Sequence, residues 1–178
     1  MPKNYITLWL QPTHFILGLY IGLWLPDFDL VLLPLLHHRS IISHSVILPL
    51  IVLAKYKNST VQEFGSGLLA GIAIHLAADG IPPLAGFGQV YLPWPIKQSI
   101  GEGGSLIWLI GNAAVGVWFI FQRSRQRMIF LVPLLLAVAL AYAVLNEDAL
   151  VPFLIFGAIL TIVVWRKKRS ADKNIDGP

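Results

Sequence analysis

The chain has 178 residues, 56% of them hydrophobic and only 12% charged, with a mean hydropathy of +0.71. That composition excludes an ordinary water-soluble domain and fits an all-α membrane protein of several short spans in one compact bundle. The net charge is +4, but the basic residues stand at the ends of apolar runs and read as topology signals, so no nucleic-acid partner is expected. The absence of cysteine rules out disulfides and thiolate metal centres, leaving oxygen and nitrogen donors for any metal.

Six apolar segments follow in chain order: Ile6 to Leu25, Ile41 to Ala54, Val61 to Ala78, Ser105 to Phe121, Met128 to Leu145 and Leu150 to Trp165. The pattern predicts a polytopic helix bundle of about six transmembrane helices. Pro26 ends the first segment, and Phe28 to Leu36 is too short to span, predicting a short interfacial or re-entrant helix. The N-terminus reads as the start of a retained helix rather than a signal peptide. Residues 1–169 form one expected domain, and 170–178 a flexible cytoplasmic tail.

Loop charge sets the expected orientation. With six crossings and a cytoplasmic N-terminus, Lys3, Lys55, Lys57, Arg123, Arg125, Arg127, Arg166, Lys167, Lys168, Arg169 and Lys173 lie inside. Only Arg39 and Lys97 lie outside. This is a strong positive-inside bias, with both termini expected to be cytoplasmic.

Three of the nine acidic residues and four of the five histidines fall in three short stretches. These are Pro26-Asp27-Phe28-Asp29, His37 to Ser45, and His75 to Asp79. The topology brings Asp27, Asp29, His38, His44, His75 and Asp79 to one outer membrane face. Charges and imidazoles there are costly unless they pair, reach water or hold a metal.

His75 and Asp79 are four apart, hence on one helix face, where they can share a cation or hydrogen-bond as a structural pair. Asp27 and Asp29 follow a proline and lie on a turn; they suit a hard cation, or Asp29 caps a helix over Leu30 to Leu36. Ser43 resembles an N-cap for the second span, with His44 in its first turn. Arg39 either neutralises the carboxylates or holds an anion such as phosphate. The ligand types are compatible with one or two zinc, manganese, iron or magnesium ions.

These motifs resemble the YdjM-like family of bacterial inner-membrane proteins described as metal-dependent hydrolases. The matches are His14 with Gly18, Leu25-Pro26-Asp27-Phe28-Asp29, His38-Arg39-Ser40-Ile41-Ile42-Ser43-His44-Ser45 and His75-Leu76-Ala77-Ala78-Asp79, across roughly residues 12–98. Ser43 stands where threonine is commoner. The resemblance implies metal-dependent hydrolysis and includes His14 in its pattern. A straight helix, however, puts His14 about 20 Å from Asp27. Either the helix breaks near Gly18 or Gly22, or His14 serves elsewhere; Thr13-His14 after Pro12 could also start the helix.

The expected core ligands are Asp27, His44, His75 and Asp79. Asp29 and His38 would complete a second metal, or orient ligands and supply a general base. Arg39 would hold an anionic or lipid-linked substrate. Two other classes fit the residues: a metal-ion or proton transporter, and a non-catalytic membrane partner or haem-binding subunit using His44 and His75. The Gly- and Pro-rich stretch from Asp79 to Ser105 reads as an interfacial lid or an ordered surface loop, with Glu102 an extra acid. The last three segments read as scaffold, with Gly111 and Gly116 allowing close contact and Asn112 bonding across a helix pair.

Overall fold

A computed structural model of the protein describes residues 5–80, 88–123 and 128–173. The elements in order are α1 (Tyr5–Trp24), a 3-10 helix η1 (Pro26–Leu32), α2 (Ile47–Lys55), α3 (Ser59–Asp79), α4 (Glu102–Arg123), α5 (Met128–Leu145) and α6 (Val151–Lys173). The fold is an all-α bundle, as its composition requires.

Helix α3 is the axis of the bundle, and of its last fifteen residues, 65–79, all but the part-buried Leu68 are buried. Small residues let α1 approach it backbone to backbone. A side chain at Gly18 would overlap the Phe64 carbonyl, and one at Gly67 would overlap that of Phe15. Gly22 and Gly71 continue the seam further along both helices. The pairing runs 15 to 67 and 22 to 71, so α1 and α3 are parallel and their C-terminal ends come level. The chain between them must therefore return, which it does through η1, a stretch of turns and α2.

Helix α2 then runs back down α3: Val46 sits by Gly116, and Leu53 packs on Gly65. Helix α4 is antiparallel to α3, with Ile110 against Gly80, Gly116 against Ala73, and Arg123 bonded to Gln62. Helices α5 and α6 form a hairpin that closes over α3 and α4. Every second helix therefore delivers its C-terminal end to the same side of the bundle as Asp79.

The expected helix bundle is present, but six clear spans do not stand out among the described residues. Among these residues, two helices, α3 and α4, are long and apolar enough to cross a membrane. A third crossing is available if α1 and η1, bent by 51° at Leu25, count as one broken span. Helix α2 has nine residues, about 14 Å, or half a hydrocarbon core. It is short because residues 33–46 spend their polar groups on turns and side-chain bonds rather than on a helix ladder. Ser43 does not cap it; the N-cap is Val46, and Ser45 Oγ accepts the Ile47 N–H at 3.0 Å.

Further details differ from the sequence reading. Helix α1 passes unbroken through Pro12, Gly18 and Gly22. Helix α6 continues to Lys173, into the stretch expected as tail, while 174–178 lie outside the described residues. So do Arg125, Arg127 and residues 81–87 of the long loop. The rest of that loop straps across the turn after η1, where Tyr91 pairs with both Ser40 and Ser99.

Candidate metal centre

The C-terminal end of α3 carries His75 and Asp79 one turn apart, 3% and 6% exposed. The parallel seam sets the end of α1 beside them. Leu23, in the last turn of α1, has a carbonyl that accepts from His75 Nδ1 at 2.9 Å. A carbonyl can only accept, so this bond places the proton on Nδ1 and leaves Nε2 with a bare lone pair.

Just past α1, the 51° bend at Leu25 turns Asp27 back toward α3. Asp27 Oδ1 lies 3.7 Å from His75 Nε2, and the side chain is one-third exposed. His44, at the head of the return segment, is fully buried. Its Nδ1 lies 3.1 Å from Ser43 Oγ and 3.4 Å from Asp29 Oδ2. Ser43 donates its own hydrogen to Asp29 at 2.6 Å, so its lone pair is open to the His44 Nδ1–H. Both imidazoles are thus turned with Nε2 inward.

Those two nitrogens meet Asp79 Oδ2, at 3.1 Å from His44 and 3.2 Å from His75. All three atoms are buried and make no hydrogen bond. Around a zinc ion with bonds of 2.0–2.1 Å, the edge of a ligand tetrahedron is about 3.3 Å. The spacing of these orphaned atoms matches that edge. Asp27, His44 and His75 offer one donor each within 4.8 Å of one another, a buried cluster able to chelate a metal ion. A carboxylate oxygen close to both imidazole nitrogens suits a small cation better than a porphyrin plane.

The remaining polar residues hold this group in place. Asp29 is buried inside η1 and does not cap a helix beyond it; its carboxylate accepts from His38 Nδ1 at 3.2 Å, Ser40 N–H at 3.1 Å and Ser43 Oγ. Arg39 has the left-handed φ of 59° and a backbone carbonyl held by the Tyr91 N–H at 3.0 Å. Its Nε and Nη2 both donate to Asp79 Oδ1, at 3.1 and 2.9 Å. Asn112 bonds across to the head of α2, accepting from Ser45 Oγ and Val46 N–H, as expected for it. Gly116 makes the expected close contact, whereas a side chain at Gly111 would meet open space.

His38 is part-exposed beside the cluster, its ring 6.2 Å from that of His44. His37 stacks on Tyr91 at 3.7 Å, away from the cluster. His14 lies thirteen residues of chain before Asp27 on an unbroken helix, roughly 20 Å away, and does not join the group. Glu102 is exposed in the first turn of α4, where it complements the helix dipole.

Two groups near the site were invisible to the sequence reading. Tyr142, in the apolar run of α5, brings its hydroxyl to 2.9 Å from His75 Nδ1. Glu147, in the turn after α5, has its carboxyl pushed up by burial and then by the Asp79 charge. A lone tyrosine in a leucine-rich helix was the only signal for the first. Neither a protein-family model, nor a curated protein, nor a solved structure matches the chain.

Proposed function

We propose that the protein is a membrane-bound hydrolase that uses one divalent metal ion, in line with the resemblance of its motifs to the YdjM-like family. The observation that carries this reading is the convergence of three buried, unbonded atoms, His44 Nε2, His75 Nε2 and Asp79 Oδ2, with Asp27 Oδ1 beside them. Buried polar atoms without partners cost a few kcal/mol each unless something satisfies them. Two imidazoles and two carboxylates form a donor set suited to zinc, manganese or iron.

Asp27, His44, His75 and Asp79 would hold the ion. It supplies Lewis acidity toward the bond attacked and lowers the pKa of water. Asp29 and His38 form a carboxylate–imidazole pair in which Asp29 accepts the hydrogen bond of the Nδ1–H, so that His38 offers Nε2 as general base from a part-exposed position. A second ion at Asp29 is disfavoured, since its oxygens already accept from His38, Ser40 and Ser43. Arg39 orients Asp79 rather than standing free for an anion.

The substrate class follows from surroundings. The outward side of η1 is apolar and exposed, with Phe28 at 57% and Val31 at 69%. A lipid-linked ester or phosphoester is the fitting class. In this reading the cluster faces the outer leaflet of a bacterial inner membrane, which the positive-inside bias of the loop charges and the family resemblance support.

Elemental analysis of chelator-free protein tests the reading, with hydrolysis measured on ester, amide and phosphoester lipids. We expect about one equivalent of metal, and metal-dependent turnover lost in Asp27→Ala. A metal-replete protein inactive on the whole panel overturns the hydrolase reading; a protein that takes up no metal overturns the centre itself.

A further inference from the structure

We infer that Tyr142 is a positioning residue of this centre, through which the α5–α6 hairpin sets the orientation of His75. The inference rests on the metal-centre reading above. Tyr142 is 7% exposed, and its hydroxyl lies 2.9 Å from His75 Nδ1. The Leu23 carbonyl lies 2.9 Å from the same nitrogen. Because the carbonyl fixes a hydrogen on Nδ1, the phenol oxygen acts as its second acceptor, and the N–H is shared between them. The two acceptors come from different helices, α1 and α5, and together leave the imidazole one rotational setting. In that setting Nε2 faces Asp79 and Asp27.

Helix α5 packs chiefly on α6 and touches α3 sparsely. The hydroxyl therefore adds little to the fold, whereas the ring, tilted 52° to His75 at 5.9 Å, packs with or without it. Acceptors on the non-ligating nitrogen of a histidine fix its tautomer and raise its basicity, and losing one costs about 10–100-fold in metal affinity. With the Leu23 carbonyl remaining, the low end of that range applies to Tyr142.

The test is Zn2+ titration of the full-length protein in detergent against a competing chelator, with the visible spectrum of the Co2+ form as second readout. Tyr142→Phe removes only the hydroxyl. It should bind the same number of ions about tenfold more weakly, with an altered Co2+ spectrum and an unchanged melting temperature of the metal-free protein. Tyr20→Phe, an exposed tyrosine on α1, should match wild type. Wild-type affinity and spectrum in Tyr142→Phe overturn the inference and leave the metal centre standing. A fall in affinity that tracks a lowered metal-free melting temperature also overturns it, since the hydroxyl then acts on the fold. Absence of metal binding by the wild type removes the centre and the inference with it.

Discussion

Arg39 grips Asp79 by one oxygen only. Nε and Nη2 both donate to Oδ1, and Oδ2 is left facing His44 and His75. The fork thus converts a freely turning carboxylate into a fixed donor. Arg39→Lys keeps the charge and loses the fork. Metal affinity should fall about tenfold, measured by chelator competition. An unchanged affinity would show that charge alone is what the cluster needs from this position.

Asp29→Asn tests the other support. The amide keeps the shape but turns an N–H2 group toward donors that now meet an acceptor: His38 Nδ1, Ser40 N–H and Ser43 Oγ. Metal affinity should drop about 10–100-fold. Turnover at saturating metal should fall as well, because His38 loses the partner that holds its proton on Nδ1. Equal turnover at saturating metal would remove His38 from the role of base.

His14→Ala should leave metal stoichiometry and affinity at wild-type values, because α1 is continuous and keeps this residue about 15 Å, ten residues, before the helix end that meets the cluster. Loss of an equivalent of metal would require a different path for α1.

The seam between α1 and α3 admits no side chain at Gly67, where a Cβ would overlap the Phe15 carbonyl. Gly67→Val should cost about 3 kcal/mol, the upper end of overpacking penalties. Thermal unfolding in detergent reads this directly. The same variant should lose metal, since the register that brings Leu23 to His75 depends on that approach.

Glu147 gives a pH-dependent prediction. Burial, followed by the Asp79 charge, raises its folded pKa above the unfolded value. The charged form is therefore penalised in the folded state. The penalty is absent below the unfolded pKa and grows as pH rises through the folded one. Glu147→Gln should melt at a higher temperature than wild type near pH 8, and the gap should close on acidification toward pH 4. A gap that widens with acid would show that the carboxylate is stabilised in place.

Much of the site was legible in the chain. Asp27, His44, His75 and Asp79 lie at ends of apolar segments, and segments that alternate in direction return their ends to one side. His75 and Asp79 needed only helical spacing. What stayed hidden was set by tertiary contact. The chain alone left Asp29 open as a second metal's ligand or as a supporting group; the Ser40 N–H and Ser43 hydroxyl on Oδ2 and His38 on Oδ1 occupy its oxygens. The second span looked continuous because Ile41 and Ile42 are apolar, yet Ser43 bonds side chain to side chain with Asp29 and His44, Ser40 Oγ accepts the Ile42 N–H, and the helix is postponed to Ile47. Tyr142 had no polar neighbour in sequence to mark it.

The collar formed by η1 has a kinetic meaning. Phe28, Leu30 and Val31 face outward from the same short helix that buries Asp29 and bends Asp27 to the cluster. A reactant crossing this collar meets the cluster at its concentration within the lipid or detergent phase, whatever the total volume of water. Turnover measured on such a reactant should follow its mole fraction in the micelle. Adding empty detergent should then slow the reaction although nothing in the aqueous solution has changed.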